Sequence, residues 1–356
     1  MTGNLACPRC KRPLGERTEC PFDAWPAIPA GALAPDDPMQ GEVVARRYQV
    51  LHAIGHGGMG TVYSAWDLDA GAEVALKVIR WDTGRDPALI ARFRREVSAT
   101  QRLVHPNVVR LLDSGRTTSG YLYIAMERLV GCTLAEHIRA EAPMPGDRAA
   151  RLLVPVCDAL EAAHGLGLVH RDLKPANIFL ARTDGPEHLV KLLDFGIARA
   201  MDHDPVDDAI CGGLVVGTVS YVAPEQARRE PVDGRTDLYA IGILLFELLT
   251  GRTPFTRAAP LETLRAHVME PPPSPRSLAP AHVTPELERL CLELLAKAPD
   301  DRPATAAEVR RRLTAAVRPE VVVAPEAHPP QSRRLRRALL AVAVATIAAA
   351  ILRLAC

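Results

Sequence analysis

The chain has 356 residues, 48% of them hydrophobic, which is enough for a sizeable core and suggests two or so domains. Its net charge of +1 provides no global field for nucleic acid or an acidic partner, so nucleic acid is excluded from the expected partners. The eight cysteines do not form a secreted disulfide pattern: three crowd the first 20 residues and the rest are scattered, which points to a reducing compartment and a small metal site.

Residues 1–20 are polar and Cys/Arg-rich, unlike a secretory leader, and residues 1–25 form a ribbon-like segment. Cys7-Pro-Arg-Cys10 and Cys20-Pro-Phe-Asp23 look like two knuckles of a zinc ribbon, with Asp23 standing where a fourth cysteine would be. Zinc takes four tetrahedral ligands and accepts carboxylate oxygen, so Cys7, Cys10, Cys20 and Asp23 form the candidate set. The competing reading is a degenerate ribbon or a redox-sensitive arm, because 25 residues without a metal cannot build a core. Residues 26–45, rich in Pro, Ala and Gly, read as a linker.

From residue 46 to 317 apolar runs alternate with turn signals as in a globular domain. YQVLHAIG, GTVYSAWD and EVALKVIR read as strands, and DPALIARFRREVSATQRL reads as a helix with Leu89, Phe93 and Val97 on one face. Strand-like text covers 108–127, and the pattern turns helical from about 146. Pro155 is expected to kink the first of these later helices. The resulting fold class is α+β: a β-rich small lobe, then a helical larger lobe, with a cleft between them.

Four motifs carry chemistry. In IGHGGMGTVY (54–63), Gly55, Gly57, Gly58 and Gly60 crowd a turn between two strands, where glycine lets backbone N–H groups approach phosphate oxygens. VALK ends in Lys77 on the next strand; a buried lysine needs a partner, and Glu96 in the following helix is the expected one. VHRDLKPAN (169–177) gathers a carboxylate, a cation and a metal-capable amide in Asp172, Lys174 and Asn177. LLDFGIA (192–198) places Asp194 directly after an apolar strand. With only five lysines in the chain, at 11, 77, 174, 191 and 297, each one inside a motif poses a chemical question.

In this order and spacing the motifs resemble those of the bacterial eukaryotic-type (Hanks-type) serine/threonine protein kinases, over about residues 46–317. The resemblance implies a bilobal kinase fold, ATP and Mg2+ as cofactors, and protein substrates as partners, with a homodimer as an open alternative. It implies that residues 55–60 cover the ATP phosphates and that Lys77 holds them while paired with Glu96. Asp172 would accept the proton of the substrate hydroxyl, Lys174 would neutralise the moving phosphoryl group, and Asn177 and Asp194 would bind magnesium. Ile54, Val62 and Ala75 would wall the adenine, with Met126 preceding a hinge at 127–130 that starts with Glu127. Glu225 of APE and Arg302 of DDRP would form a buried pair, and Asp237 would brace the HRD backbone. The N-terminal cysteines resemble the short ribbon-like extensions of some bacterial kinases. A kinase-fold scaffold with little catalysis remains the alternative function, and a small-molecule kinase is disfavoured by the Gly217-Thr218…APE segment.

Between DFG and APE, residues 197–217 contain no Ser, Thr or Tyr, and the first hydroxyl is Thr218. Arg171, the residue that would grip an activating phosphate, is present; Asp207 or Asp208 is the candidate built-in anion for it, against the alternative that these acids are merely solvated. After a second Pro-rich linker at 318–332, RRLRR at 333–337 precedes an uncharged run, 338–352. That run would span about 22 Å as a helix against about 30 Å of hydrocarbon. With the flanking arginines it reads as a single C-terminal anchor of the cell membrane, leaving the kinase part cytoplasmic and no extracellular sensor domain in this chain. The alternative is an Ala-rich amphipathic or oligomerising helix.

Overall fold

The computed structural model describes residues 4–34, 36–57, 60–79, 87–185, 187–195 and 219–316. By contacts the chain divides into two units, Met1–Val317 and Arg318–Cys356, and the second lies outside the described residues. The expected anchor therefore lies outside them too, as do Gly58, Asp207, Asp208 and Thr218. Among the described residues no helix is long and apolar enough to cross a membrane.

The first three strands are short: β1 (Leu5–Ala6) pairs antiparallel with both β2 (Pro13–Gly15) and β3 (Ile28–Pro29). A six-stranded sheet follows, made of β4 (Val43–Val44), β5 (Tyr48–Gly57), β6 (Gly60–Asp67), β7 (Ala72–Ile79), β8 (Leu111–Arg116) and β9 (Leu122–Glu127). Its order is β4-β5-β6-β7-β9-β8, with every pairing antiparallel. Helix α1 (Pro87–Gln101) starts on a proline and buries Phe93 and Val97 against Ile79 and Ile124 of the sheet.

Residues 26–45 are not a spacer, contrary to the reading from composition. Ile28 forms part of β3, and Met39 and Val44 are buried in the core with Tyr48 and Tyr63. Asp37 accepts the Tyr63 hydroxyl at 3.0 Å, and Gly41 N–H donates to the Val50 carbonyl at 3.0 Å. Proline and alanine abundance reports missing regular structure, and here that irregular backbone is fastened by specific bonds. The N-terminal segment is likewise not confined to residues 1–25: its core joins Cys7, Leu14, Cys20, Trp25 and Ile28 to Leu51 of β5.

The helical half begins with β10 (Gly131–Thr133) and α2 (Leu134–Glu141), whose entry is a capping box between Thr133 and Glu136. Helix α3 (Gly146–Gly165) continues on both sides of Pro155. Strands β11 (Ile178–Ala181) and β12 (Leu189–Leu192) join β10 in a small antiparallel sheet. Then come α4 (Pro224–Ala227), α5 (Gly234–Thr250), α6 (Pro260–Met269), α7 (Pro275–Leu278), α8 (Pro285–Leu294) and α9 (Ala306–Ala316). Helix α5 is apolar all round and is the buried centre: Leu238, Ile241, Leu244, Leu245 and Leu248 are fully enclosed. It starts at Asp233, whose side chain accepts the Arg235 N–H, and ends at Gly251, whose φ of +75° suits glycine.

One ion pair fastens α4 to this core. Arg302 Nη1 and Nη2 each meet a Glu225 oxygen at 2.8 Å. The other guanidinium donations reach the carbonyls of Ala296, Arg235 and Lys297, so all five N–H groups have an acceptor. Thr236 donates a further bond to Glu225 at 2.8 Å. Burial pushes the Glu225 carboxyl up, but the Arg302 bonds and charge outweigh it and hold the group below its ordinary value. Lys297 lies nearby, donating to the His267 carbonyl at the end of α6 over the Phe255 ring; burial lowers it to about 8.

Removing one partner of the pair, by Arg302→Ala, strands a buried carboxylate and is expected to cost about 3–5 kcal/mol, measured by urea unfolding. Because Glu225 is held below its unfolded value, the pair's contribution is present above the ordinary pKa of 4.5 and fades as pH falls beneath it. Wild type should therefore lose this increment on acidification, and the Glu225→Gln protein should show a flatter pH profile.

Candidate active site

The cleft is built from the inner end of the sheet and from loops of the helical half. Ala75 and Met126 pair directly across β7 and β9 and are buried in one apolar cluster. Ile54, Val62, Leu129 and Leu193 pack against the same cluster. The expected adenine walls thus come together, and Leu193, the residue before Asp194, joins them without having been singled out in the sequence.

The glycine turn separates two structural reasons for glycine. Gly60 has φ of +150°, and a Cβ there would stand 2.1 Å from the Val78 carbonyl oxygen, so the fold itself demands glycine. Gly55 and Gly57 meet no protein atom closer than 4.0 and 3.9 Å respectively. Among the described residues nothing requires their small size, and the space beside them is open to a ligand.

Opposite this turn, Lys77 Nζ lies 2.8 Å from Asp194 Oδ2, with the lysine 9% and the aspartate 29% exposed. Burial pushes the Asp194 carboxyl up, but the Lys77 charge and hydrogen bond outweigh it, so its pKa falls below the usual carboxylate range. The expected Lys77–Glu96 pair is not what the structure contains. Glu96 instead lines a small cavity of about 30 Å3 together with Thr100, Arg171 and Phe195. Spacing correctly brought helix α1 to the site, but it could not show which way the helix directs Glu96.

The HRD segment is held from below. Asp237 of α5 is buried and accepts the backbone N–H of His170 and of Arg171, each at 2.9 Å, and approaches His164 Nε2 at 2.8 Å. Arg171 has φ of +67° and Asp194 has φ of +57°, conformations that a non-glycine residue keeps only where the surroundings enforce them. Lys174 Nζ contacts both Asp172 oxygens, at 2.9 and 2.8 Å, and Asn177 Nδ2 donates to Asp172 Oδ2 at 3.1 Å. Among the described residues the Asn177 amide oxygen has no donor, and it and the Asp194 carboxylate are hard-oxygen ligands of the kind magnesium takes. His170 Nε2 lies 2.9 Å from the Leu193 carbonyl, and its ring packs on Phe195 with centroids 4.6 Å apart.

The protein kinase domain family matches residues 48–313. The chain belongs to the protein kinase family. It is 42% identical over 279 residues to the serine/threonine-protein kinase pkn3 of Myxococcus xanthus, covering 78% of this chain and 51% of that one. It is 43% identical over 270 residues to the serine/threonine-protein kinase PknB of Mycolicibacterium smegmatis, covering 75% and 42%. The chain thus spans about half or less of the length of these curated relatives. Among solved structures it resembles the PknI kinase domain of Mycobacterium tuberculosis, with a TM-score of 0.61, 29% identity, and coverage of 77% of this chain and 98% of that one. These relatives place it among the bacterial Hanks-type kinases.

One further residue of the kinase cleft escaped sequence reasoning. Lys191 on β12 is buried and donates to Glu127 Oε1 at 2.7 Å and to the Val108 carbonyl at 3.3 Å. The same Glu127 oxygen accepts the Arg110 N–H at 2.8 Å. Glu127, expected at the hinge, is therefore tied to the strand that leads into Asp194. The scarcity of lysine was the available signal.

The N-terminal cysteine set also assembles in this kinase. The candidate donor atoms of Cys7, Cys10, Cys20 and Asp23 all lie within 4.8 Å of one another. Cys10 N–H donates to Cys7 Sγ at 3.4 Å, as in a metal knuckle. Burial raises the Cys7 thiol to about 11, and burial of Cys20 is outweighed by the amides of Phe22 and Asp23, which lower it.

The contrast within the glycine turn is testable. Gly60→Ala should destabilise the protein by more than about 1 kcal/mol, read from thermal unfolding. Gly57→Ala should stay within about 0.5 kcal/mol of wild type and instead weaken binding of a fluorescent ATP analogue.

Proposed function

We propose that the protein is a serine/threonine protein kinase that transfers the γ-phosphoryl group of ATP to hydroxyls of protein substrates with Mg2+. The observation that carries this reading is the convergence of two charge pairs, Lys77–Asp194 and Lys174–Asp172, with Asn177 on the Asp172 carboxylate. A lysine–aspartate pair is the complement of a phosphate–magnesium pair: the ammonium suits the polyphosphate and the carboxylate suits the cation.

In this reading the open space at Gly55 and Gly57 admits the phosphates beneath backbone N–H groups. Lys77 holds the non-transferred phosphates, and Asp194 with Asn177 Oδ1 holds Mg2+, which supplies neutralisation of charge at the transferred group. Asp172 orients the substrate hydroxyl and takes its proton. Lys174, bonded to both Asp172 oxygens, carries positive charge to the point where the phosphoryl group passes. Asp237 keeps Arg171 and Asp172 in register by gripping the backbone just before them.

Three finer readings accompany this one. Cys7, Cys10, Cys20 and Asp23 hold a zinc ion. The run 338–352 behind RRLRR anchors the kinase to the cell membrane with its catalytic part cytoplasmic. Asp207 or Asp208 serves Arg171 in place of a phosphate, in a segment without hydroxyls up to Thr218.

The test of the main reading is phosphate incorporation from labelled ATP with Mg2+, followed by phosphosite mapping. Asp172→Asn should reduce incorporation by about 10²–10⁴-fold; absence of incorporation by the intact chain would favour a scaffold. The Asp207→Ala/Asp208→Ala double variant should lose part of the rate, and full retention would sink the built-in anion.

A further inference from the structure

The cysteine set does more than close a small loop, because its knuckle is wedged into the body of the kinase sheet. A Cβ added at Gly41 would meet the Pro8 carbonyl oxygen at 2.8 Å and Arg9 Cα at 2.9 Å, so the Cys7–Cys10 knuckle touches the backbone that leads into β4. The side chain of Gln40 is a four-way junction beside it. Its Oε1 accepts Lys11 Nζ at 3.0 Å and the Ala34 N–H at 2.8 Å. Its Nε2 donates to the carbonyls of Ala32 at 2.9 Å and of Leu51 at 3.0 Å. Lys11 directly follows Cys10, and Leu51 lies on β5, the strand that ends in the glycine turn. Leu51 and Trp66 close the apolar cluster that contains Cys7 and Cys20, so both strands of the nucleotide hairpin carry the module on their outer part.

Three of the six donor separations match those around a tetrahedral ion, and all six are within 4.8 Å. Bonds of about 2.3 Å to sulfur and about 2.1 Å to oxygen require donors about 3.8 Å apart for two sulfurs and about 3.6 Å for sulfur and oxygen. Cys10 and Cys20 Sγ are 3.8 Å apart, and Asp23 Oδ2 is 3.7 Å from both Cys7 and Cys20 Sγ. The 31 residues 4–34 pair only in strands of two or three residues and have no long helix of their own.

We propose that zinc at Cys7, Cys10, Cys20 and Asp23 is a latch that clamps the N-terminal module onto β5–β6, so that the order of the ATP-binding hairpin depends on metal. The proposal rests on the zinc reading above and adds its coupling to the nucleotide site. The ion fixes the knuckle, the knuckle fixes Lys11 and the Gly41 backbone, and Gln40 passes that constraint to β5. The hairpin end at Gly57 and Gly60 then moves about a fixed root.

The experiment uses the full chain. Metal content is measured directly, zinc is removed with 1,10-phenanthroline, which leaves magnesium, and amide hydrogen exchange is followed with the KM for ATP. One zinc per chain is expected, with faster exchange on removal both in 4–34 and in 48–66, a several-fold rise in KM with little change in kcat, and recovery when zinc is restored. Asp23→Ala should weaken zinc retention by roughly tenfold or more, whereas Asp23→Cys should slow its loss to the chelator. Gln40→Ala, which spares all four ligands, should keep its zinc yet show the same faster exchange in 48–66 and raised KM. Absence of zinc overturns the metal reading and the latch together. Bound zinc whose removal leaves exchange in 48–66 and KM unchanged keeps the metal site but overturns the latch, as does a Gln40→Ala protein indistinguishable from wild type.

Discussion

The arrangement of the cleft depends on one buried carboxylate. Asp237 stands on the most deeply enclosed helix of the protein and spends its oxygens on the backbone of His170 and Arg171. That anchor, together with the Gln226 amide that donates to the Arg171 carbonyl at 2.8 Å, supports the left-handed conformation of Arg171 and so the direction of Asp172, the next residue. Everything assembled above it follows from this fixed point. His170 carries the constraint to Leu193 and Phe195, Asn177 carries it to Asp172, and Asp194 emerges between them facing Lys77. The large apolar helix thus serves as the bench on which a short polar loop is mounted, a division of labour in which burial supplies rigidity and the loop supplies chemistry.

Much of this was legible in the amino-acid order because the kinase motifs are local. Lys77 on a strand, the HRD-to-Asn177 run and the Asp194 turn each announce their chemistry within a few residues. The strands from Tyr48 to Ile79 and the helices after Gly146 follow their apolar periods. The Glu225–Arg302 pair was legible only through resemblance, since 77 positions separate its members. What could not be read were choices made by rotation and by irregular backbone. The direction of Glu96 depends on how α1 is turned against the sheet, and a helical repeat is silent on that. Residues 26–45 have the composition of a spacer, yet Asp37, Gln40 and Gly41 each make contacts that no periodicity encodes.

The two halves of the cleft are joined by pairs of unlike character. Lys77–Asp194 is an ion pair in the space that a nucleotide and a cation would share, so it is suited to being exchanged. Lys191–Glu127 couples a buried lysine to a half-buried carboxylate and is also satisfied by Val108 and Arg110 backbone groups, so it is suited to staying.

Lysine is used sparingly, and every one of the five is engaged: Lys11 with Gln40, Lys77 with Asp194, Lys174 with Asp172, Lys191 with Glu127 and Lys297 with the end of α6. Four of these amines join separate elements, whereas Lys174 and Asp172 belong to one loop. The inventory of primary amines in the described residues is thus a map of the hinges and seams of the molecule. At four of the five lysines a reagent or modifying enzyme would act on a joint rather than on an idle surface, and its effect would be read as a change in how two parts of the protein are held together.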